Sequence, residues 1–240
     1  MASAPSFDFQ AVEKTLLEAT EIELLGLMRR SSNYTFLARL GGPDGAESLA
    51  VYKPARGEAP LWDFPDGTLY RREVASYRLS RILGWPQIPA TIVRDDAPHG
   101  VGALQVFIEA QRGRHYLHEN GHPEAVWRRV AIFDVIANNA DRKSGHILLD
   151  GDGAPWVVDH GLTFHVDPKL RTVIWDFAGE PLPEGDRPDL ERALNDIAAL
   201  SELLSRSELN ALRRRLEAVL HPDWRFPSPD SGWSVPWPPV

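Results

Sequence analysis

The stretch Asp141-Arg142-Lys143-Ser144-Gly145-His146-Ile147-Leu148-Leu149, followed by Trp156-Val157-Val158-Asp159-His160-Gly161, sets two aspartates eighteen residues apart. Between them lies Asp150-Gly151-Asp152-Gly153, a turn-rich insert with the apolar runs 147–149 and 156–158 on either side. Apolar runs flanking a Gly/Asp turn predict a β-hairpin. A hairpin brings its ends together, so Asp141 and Asp159 are expected to face one small volume. Phosphoryl transfer asks for such a pair, one carboxylate to orient the attacking hydroxyl and one to hold a metal.

Working outward, 240 residues suffice for one large domain or two intimate lobes with a substantial core. A hydrophobic content of 43% and a charged content of 25% are those of a soluble globular chain. The net charge of −8 argues against a general nucleic-acid binder, whose footprint is basic. There is no cysteine, which excludes a disulfide framework, a thiolate nucleophile and a cysteine metal site, and fits a cytoplasmic protein. Met1-Ala2-Ser3-Ala4-Pro5 lacks the basic start and apolar run of a signal peptide. No apolar stretch approaches the ~20 residues of a membrane span, so a soluble protein without a transmembrane segment is expected.

The first half reads as sheet-rich. Residues 8–26 are expected to be helical, stopped at Gly26, and 33–40 and 47–53 form antiparallel strands around Gly41-Gly42-Pro43-Asp44-Gly45. Residues 54–67 are rich in Pro and Gly and read as a loop, 68–83 as a helix ending at Gly84, and 88–94 and 102–109 as further strands. The second half is mainly helical apart from the hairpin. Residues 124–138 are strongly apolar and form a buried helix; 189–204 and 207–220 form two more, with Asp189 and Ser207 as N-caps. From 222 to 240 the chain carries six prolines and three tryptophans, which excludes a helix and favours an extended, packed strap. The fold class is therefore α+β, with two lobes: a sheet-rich N-lobe over about 1–108, a helical C-lobe over about 109–221 and the strap at 222–240. A cleft between lobes is a favoured ligand site.

Lys53 ends an apolar strand, at the rim of a core, where its ammonium can reach phosphate oxygens and needs a carboxylate partner when shielded from water. Glu73, in the next helix, could supply it. Arg30-Ser31-Ser32-Asn33 offers hydroxyls and backbone amides to phosphate oxygens, although the chain has neither a G-x-G-x-x-G run nor a Walker lysine motif. Asp141 leaves a buried helix through Asn138-Asn139-Ala140. Arg142 and Lys143 beside it should keep its carboxylate ionised and could touch a transferring phosphate. Asp159 ends an apolar strand before His160-Gly161, a position suited to a metal held against phosphates. His146 could be a second metal ligand, and an imidazole suits manganese or zinc better than magnesium.

In this order, the lysine strand, glutamate helix, Asp-Arg-Lys loop, hairpin and Asp-His-Gly resemble the atypical kinases of the phosphatidylinositol 3-/4-kinase type. They are similar in the same way to HipA-type kinases. The chain most resembles a group of actinobacterial phosphatidylinositol 3-/4-kinase-like proteins, over roughly residues 25–205, with 51–54 and 138–161 as its firm motifs. The resemblance implies a two-lobed atypical protein/lipid kinase-like fold that uses ATP and Mg2+ or Mn2+. It implies Lys53 on the α/β-phosphates with Glu73 positioning it, Asp141 as the hydroxyl-orienting base, Lys143 on the γ-phosphate, and Asp159 as the main metal ligand. Ser32 and Asn33 would lie in the phosphate-covering loop. Gln105, Phe107 and Glu109 would belong to a hinge that touches adenine through backbone groups. Where the lipid and HipA-type kinases have Asp-Arg-His and then an Asn, this chain has Lys143 and His146. The expected activity is transfer of the γ-phosphate of ATP to a hydroxyl of a protein or small polar metabolite. A nucleotide-binding pseudokinase acting as an interaction module, and an AMP transferase on the same fold, stand as alternatives. The acceptor and the oligomeric state are left open.

Overall fold

The computed structural model describes residues 8–28, 33–43, 45–111, 113, 116, 124–229 and 234–240. The chain divides into two compact units, one of the chain up to Val74 with Pro89–Phe107, the other of Ala75–Ile88 with everything from Ile108.

In the first unit, alternation along β2 (Phe36–Gly41) and β3 (Glu47–Pro54) buries Ala38, Leu40, Ala50 and Tyr52 on one face of an antiparallel pair. Lys53 falls on the opposite face with Val51, because successive side chains of a strand alternate. Together with β1 (Glu21–Leu27), β4 (Thr91–Arg94) and β5 (Gly102–Val106) they make a five-stranded antiparallel sheet in the order β1-β2-β3-β5-β4. Gly102 is required where β5 meets β3: a Cβ there would lie 2.5 Å from the Lys53 carbonyl oxygen and 2.8 Å from Pro54 Cα. The residue opposite the end of the lysine strand can therefore carry no side chain without moving that strand. α2 (Leu69–Leu83) begins where the Glu58 carboxylate accepts from the N–H groups of Leu69 (3.0 Å) and Tyr70 (2.9 Å), a cap supplied by the preceding loop.

The long first helix expected over 8–26 is two elements. α1 (Phe9–Glu18) is capped by Asp8, and its C-terminal carbonyls at Leu16 and Leu17, with that of Ala19, accept from the Arg94 guanidinium. Residues from Glu21 then pair with β2. Ile22 and Leu24 alternate with Glu21 and Glu23, so the apolar cluster obeys a strand period, and Gly26 follows a bulge at Leu25 instead of stopping a helix.

The second unit is built on α3 (Glu124–Ala137), whose Val130, Ile132, Phe133 and Ile136 are buried, with α4 (Arg187–Asp196) and α5 (Arg206–Val219). β6 (Ile147–Leu149) and β7 (Pro155–Val157) form the expected hairpin. Its turn is closed by Asp150, whose carboxylate accepts from the backbone of Asp152 and Ala154 and from the Trp156 indole. The helix expected over 189–204 starts earlier and ends at Asp196, continuing as a 3-10 turn at Ile197–Leu200. Asp189 therefore sits in its first turn, bound to the Trp85 indole and Arg192, and does not cap it. Among the described residues no helix is long and apolar enough to cross a membrane.

Ser205, two residues before the expected Ser207, caps α5: it accepts from the Glu208 N–H, and the Glu208 carboxylate accepts from the Ser205 N–H at 2.8 Å. Ser205→Ala is expected to lower stability by about 1 kcal/mol in urea titrations, and Ser207→Ala by less than half of that.

Candidate functional site

α3 ends at Ala137, and Asn138 takes a left-handed conformation (φ 53°) that an asparagine tolerates at a helix end. Its side chain holds the turn: the amide donates to the carbonyls of His165 (2.9 Å) and Asp167 (2.7 Å), and its oxygen accepts from the Lys169 N–H (2.8 Å). Asn139 donates to the Asp134 carboxylate (2.9 Å) and accepts from the Asp141 N–H (3.0 Å). Asp141 thus leaves the helix on a backbone fixed by two successive asparagine side chains.

Beneath it lies the strongest electrostatic feature of this unit. Arg142 and Asp134 are both completely buried and paired, with Nε and Nη2 of the arginine 3.0–3.1 Å from the carboxylate oxygens. The same carboxylate accepts from the Thr172 hydroxyl at 3.2 Å. The guanidinium donates onward to the Val158 carbonyl (2.9 Å) and to His160 Nε2 (2.7 Å). Since arginine only donates, His160 accepts at Nε2, which fixes the Nδ1–H tautomer. Phe133 meets the His160 ring edge-on at 5.6 Å. Arg142 is therefore an internal brace and cannot touch a transferring phosphate, contrary to the expectation from its place beside Asp141. The tertiary fold turns adjacent side chains to opposite environments, which spacing alone does not reveal.

At the surface of this brace stand four groups. Lys143 Nζ is 3.1 Å from Asp141 Oδ2, and His146 Nε2 is 3.3 Å from Asp159 Oδ2. Val158 ties the two together: its N–H donates to the His146 carbonyl while its own carbonyl is held by Arg142. Asp159 follows in a left-handed conformation (φ 61°) with its side chain half exposed. Burial raises the Asp141 carboxyl above the ordinary carboxylate range; Lys143 opposes that rise and the Asp159 charge adds to it. Nearby carboxylates and a shielding lysine are the pattern of a site that handles charge and protons.

In the first unit, Lys53 is ion-paired with Glu73, whose side chain is almost fully buried. The Asn33 side chain accepts from the Ala59 N–H at 2.8 Å, pinning the loop after β3. Ser32 lies outside the described residues. The Gln105 side chain is buried and donates to Thr91 at 2.8 Å, and the Phe107 N–H donates to the Leu49 carbonyl at 3.0 Å. Glu109 is exposed and belongs to the second unit. The structure thus brings together Lys53 with Glu73, and Asp141 with Lys143, His146 and Asp159.

Among the described residues no group of three or more His, Cys, Asp or Glu could hold a metal ion. The His146–Asp159 pair offers two donors, a set that fits a divalent ion completed by phosphate oxygens and water, and not a closed protein cage. Asp134, Asn139, Thr172 and His160 were missed as supporting residues. Asp134 lies one turn from the end of a helix that reads as strongly apolar, and a carboxylate among that helix's buried residues is the available signal.

Removing one partner of the buried pair leaves the other charge uncompensated. Arg142→Met is expected to destabilise the protein by roughly 3–5 kcal/mol in urea unfolding, and Asp134→Leu combined with Arg142→Met to recover most of that. Asp141 behaves oppositely. A carboxyl held above its unfolded value contributes stability below the ordinary carboxylate range and loses it as pH rises through the raised value. Asp141→Asn is therefore expected to raise the urea midpoint at neutral pH, with the gain vanishing by about pH 4.

No family model matches the chain. Protein Rv2133c of Mycobacterium tuberculosis is 38% identical over 94% of this chain and 95% of its own length. Phosphatidylinositol 4-kinase gamma 4 of Oryza sativa subsp. japonica is 27% identical over 57% of this chain, a match that spans only 31% of that protein. The Helicobacter pylori proinflammatory kinase CtkA superposes with a TM-score of 0.52 at 13% identity, covering 84% of this chain and 92% of its own. The Golgi casein kinase superposes at 0.51 with 14% identity over 89% of this chain and 74% of its own. The five-stranded antiparallel sheet and helical second unit share the fold of these two kinases, and the chain belongs to the same family as the mycobacterial protein Rv2133c.

Proposed function

We propose that the protein is an ATP-dependent phosphotransferase of the atypical kinase class, moving the γ-phosphate to a hydroxyl acceptor. The observation that carries this reading is the surface cluster in which Asp141 meets Lys143 and His146 meets Asp159 on one arginine-braced backbone. Kinase-fold neighbours and the Lys53–Glu73 pair of the first unit support it.

In this reading Lys53, positioned by Glu73, binds the α- and β-phosphates, with Asn33 in the loop near them and Glu109 at the adenine edge. Asp159 and His146 hold a divalent metal, Mg2+ or Mn2+, which when bound neutralises phosphate charge. Asp141 orients the acceptor hydroxyl: as the oxygen forms its bond to the γ-phosphorus, the bond to the β–γ bridging oxygen breaks and the hydroxyl proton passes to the carboxylate. A carboxyl raised by burial is suited to receive that proton. Lys143, already paired with Asp141, faces the transferring phosphoryl group and offsets its charge. Catalysis is then positioning and electrostatics, with little covalent chemistry by the protein. The likeness to a phosphatidylinositol 4-kinase is confined to part of that enzyme and does not carry its lipid acceptor to this chain.

ATP labelled at the α- or the γ-phosphate, incubated with Mg2+ or Mn2+, tests the reading. Transfer or release of γ label is expected. Label moving from the α position alone would make it an AMP transferase, and binding without turnover would make it a nucleotide-binding module. Asp159→Ala is expected to weaken metal-dependent ATP binding, measured by calorimetry. Asp141→Ala should preserve binding and lower turnover by about 10²-fold or more.

A further inference from the structure

The proline- and tryptophan-rich end of the chain is tied to the second unit in two places that differ in kind. At the first, Phe226 is buried against Phe177 and Trp224, and its N–H and C=O bond to the backbone of Glu180 and Gly179. The second tie includes two backbone hydrogen bonds. The Ser234 carbonyl accepts from the Thr172 N–H at 3.1 Å, and the Pro239 carbonyl accepts from the Ser144 N–H at 2.8 Å. Pro236 is buried, whereas Trp237 is 89% exposed. A Cβ on Gly145 would be in ordinary contact, 3.8 Å, with Val240.

The two amides that hold this segment are not arbitrary surface groups. Ser144 lies three residues beyond Asp141, within about 11 Å of chain. Thr172 is bridged in parallel to Arg142, its hydroxyl on the Asp134 carboxylate. Both therefore belong to backbone that the Arg142–Asp134 brace makes rigid, beside the carboxylate assigned to the acceptor hydroxyl. Backbone amides that donate to the carbonyls of an extended, proline-punctuated segment can serve any extended polypeptide, because these bonds are to main chain.

We propose that the Ser144 and Thr172 amides form the docking track of a polypeptide acceptor, and that Ser234–Val240 occupies this track in cis until an acceptor displaces it. The proposal rests on the kinase reading and names its acceptor class, a hydroxyl-bearing residue in an extended protein segment. Within the occupant Pro236 is buried and Trp237 exposed, and its exchange is what the competition below reads.

The test compares the full chain with two variants, Pro236→Asp and a chain ended after residue 233, each checked for a native far-UV spectrum. A fluorescent peptide of sequence SVPWPPV is titrated into each. Tethered competition at about millimolar effective concentration should make the full chain bind it at least ~10-fold more weakly than either variant. Hydrogen exchange at Ser144 and Thr172 should be fast in the variants and slow again once the peptide is added. Transfer of γ-phosphate from ATP to dephosphorylated casein should rise several-fold in both variants. Equal peptide binding by all three proteins, no binding by the variants, or no rise in casein phosphorylation in the variants while γ label is still transferred or released overturns the proposal and leaves the kinase reading intact. Peptide bound by the variants, with no γ label either transferred or released from ATP by any of the three, overturns the kinase reading, and the acceptor role falls with it.

Discussion

The buried pair of Arg142 and Asp134 is the interaction on which the second unit's site depends. Both charges have left water completely, a cost of several kcal/mol per ion that their attraction repays only when every remaining hydrogen-bonding position is used. Here they are used. Asp134 also receives Asn139 and Thr172, and Arg142 also donates to Val158 and His160. The recipients are the backbones and side chains leading to Asp141, to Asp159 and to the segment beyond the Asp-His-Gly turn. A single ion pair thereby fixes three loops relative to one another, which packing of such polar, glycine-containing loops could not do.

Above that brace two carboxylates meet a lysine and a histidine. Two carboxylates lie close enough to raise the Asp141 carboxyl, while Lys143 limits the rise and His146 meets Asp159. Desolvation is the dominant cause. In the proposed transfer, phosphate and metal would meet groups already held in place, and little reorganisation would be needed. The left-handed backbone at Asn138 and Asp159 brackets the same region, and each is secured by hydrogen bonds of its own side chain or its neighbours.

In the first unit the organising constraint is steric. Gly102 lets β5 approach β3 beside Lys53, and the Glu58 cap sets the start of the helix that carries Glu73. The Lys53–Glu73 pair is thus the product of a strand contact and a helix start, each set by one residue outside it.

Much of this was legible in the sequence, for physical reasons that differ by element. The hairpin between Leu149 and Pro155 follows from Gly/Asp turn chemistry between apolar runs, and α2 and α3 follow from apolar spacing, all local properties. The partnership of Lys53 with Glu73 could be foreseen because a shielded ammonium needs a carboxylate. Residues 21–27 could not be read correctly, since a short apolar cluster takes its period from the strand it pairs with. The caps at Ser205 and Glu58 depended on which of several candidate side chains the chain's path brought to the helix end. Above all, Arg142 and Lys143 are adjacent and both basic, yet one is wholly buried and the other meets Asp141 at the surface. Sequence determined that positive charge and carboxylates would gather around this hairpin. Only the tertiary structure decided which of them support the site from beneath and which face outward, because burial is set by the packing of distant segments.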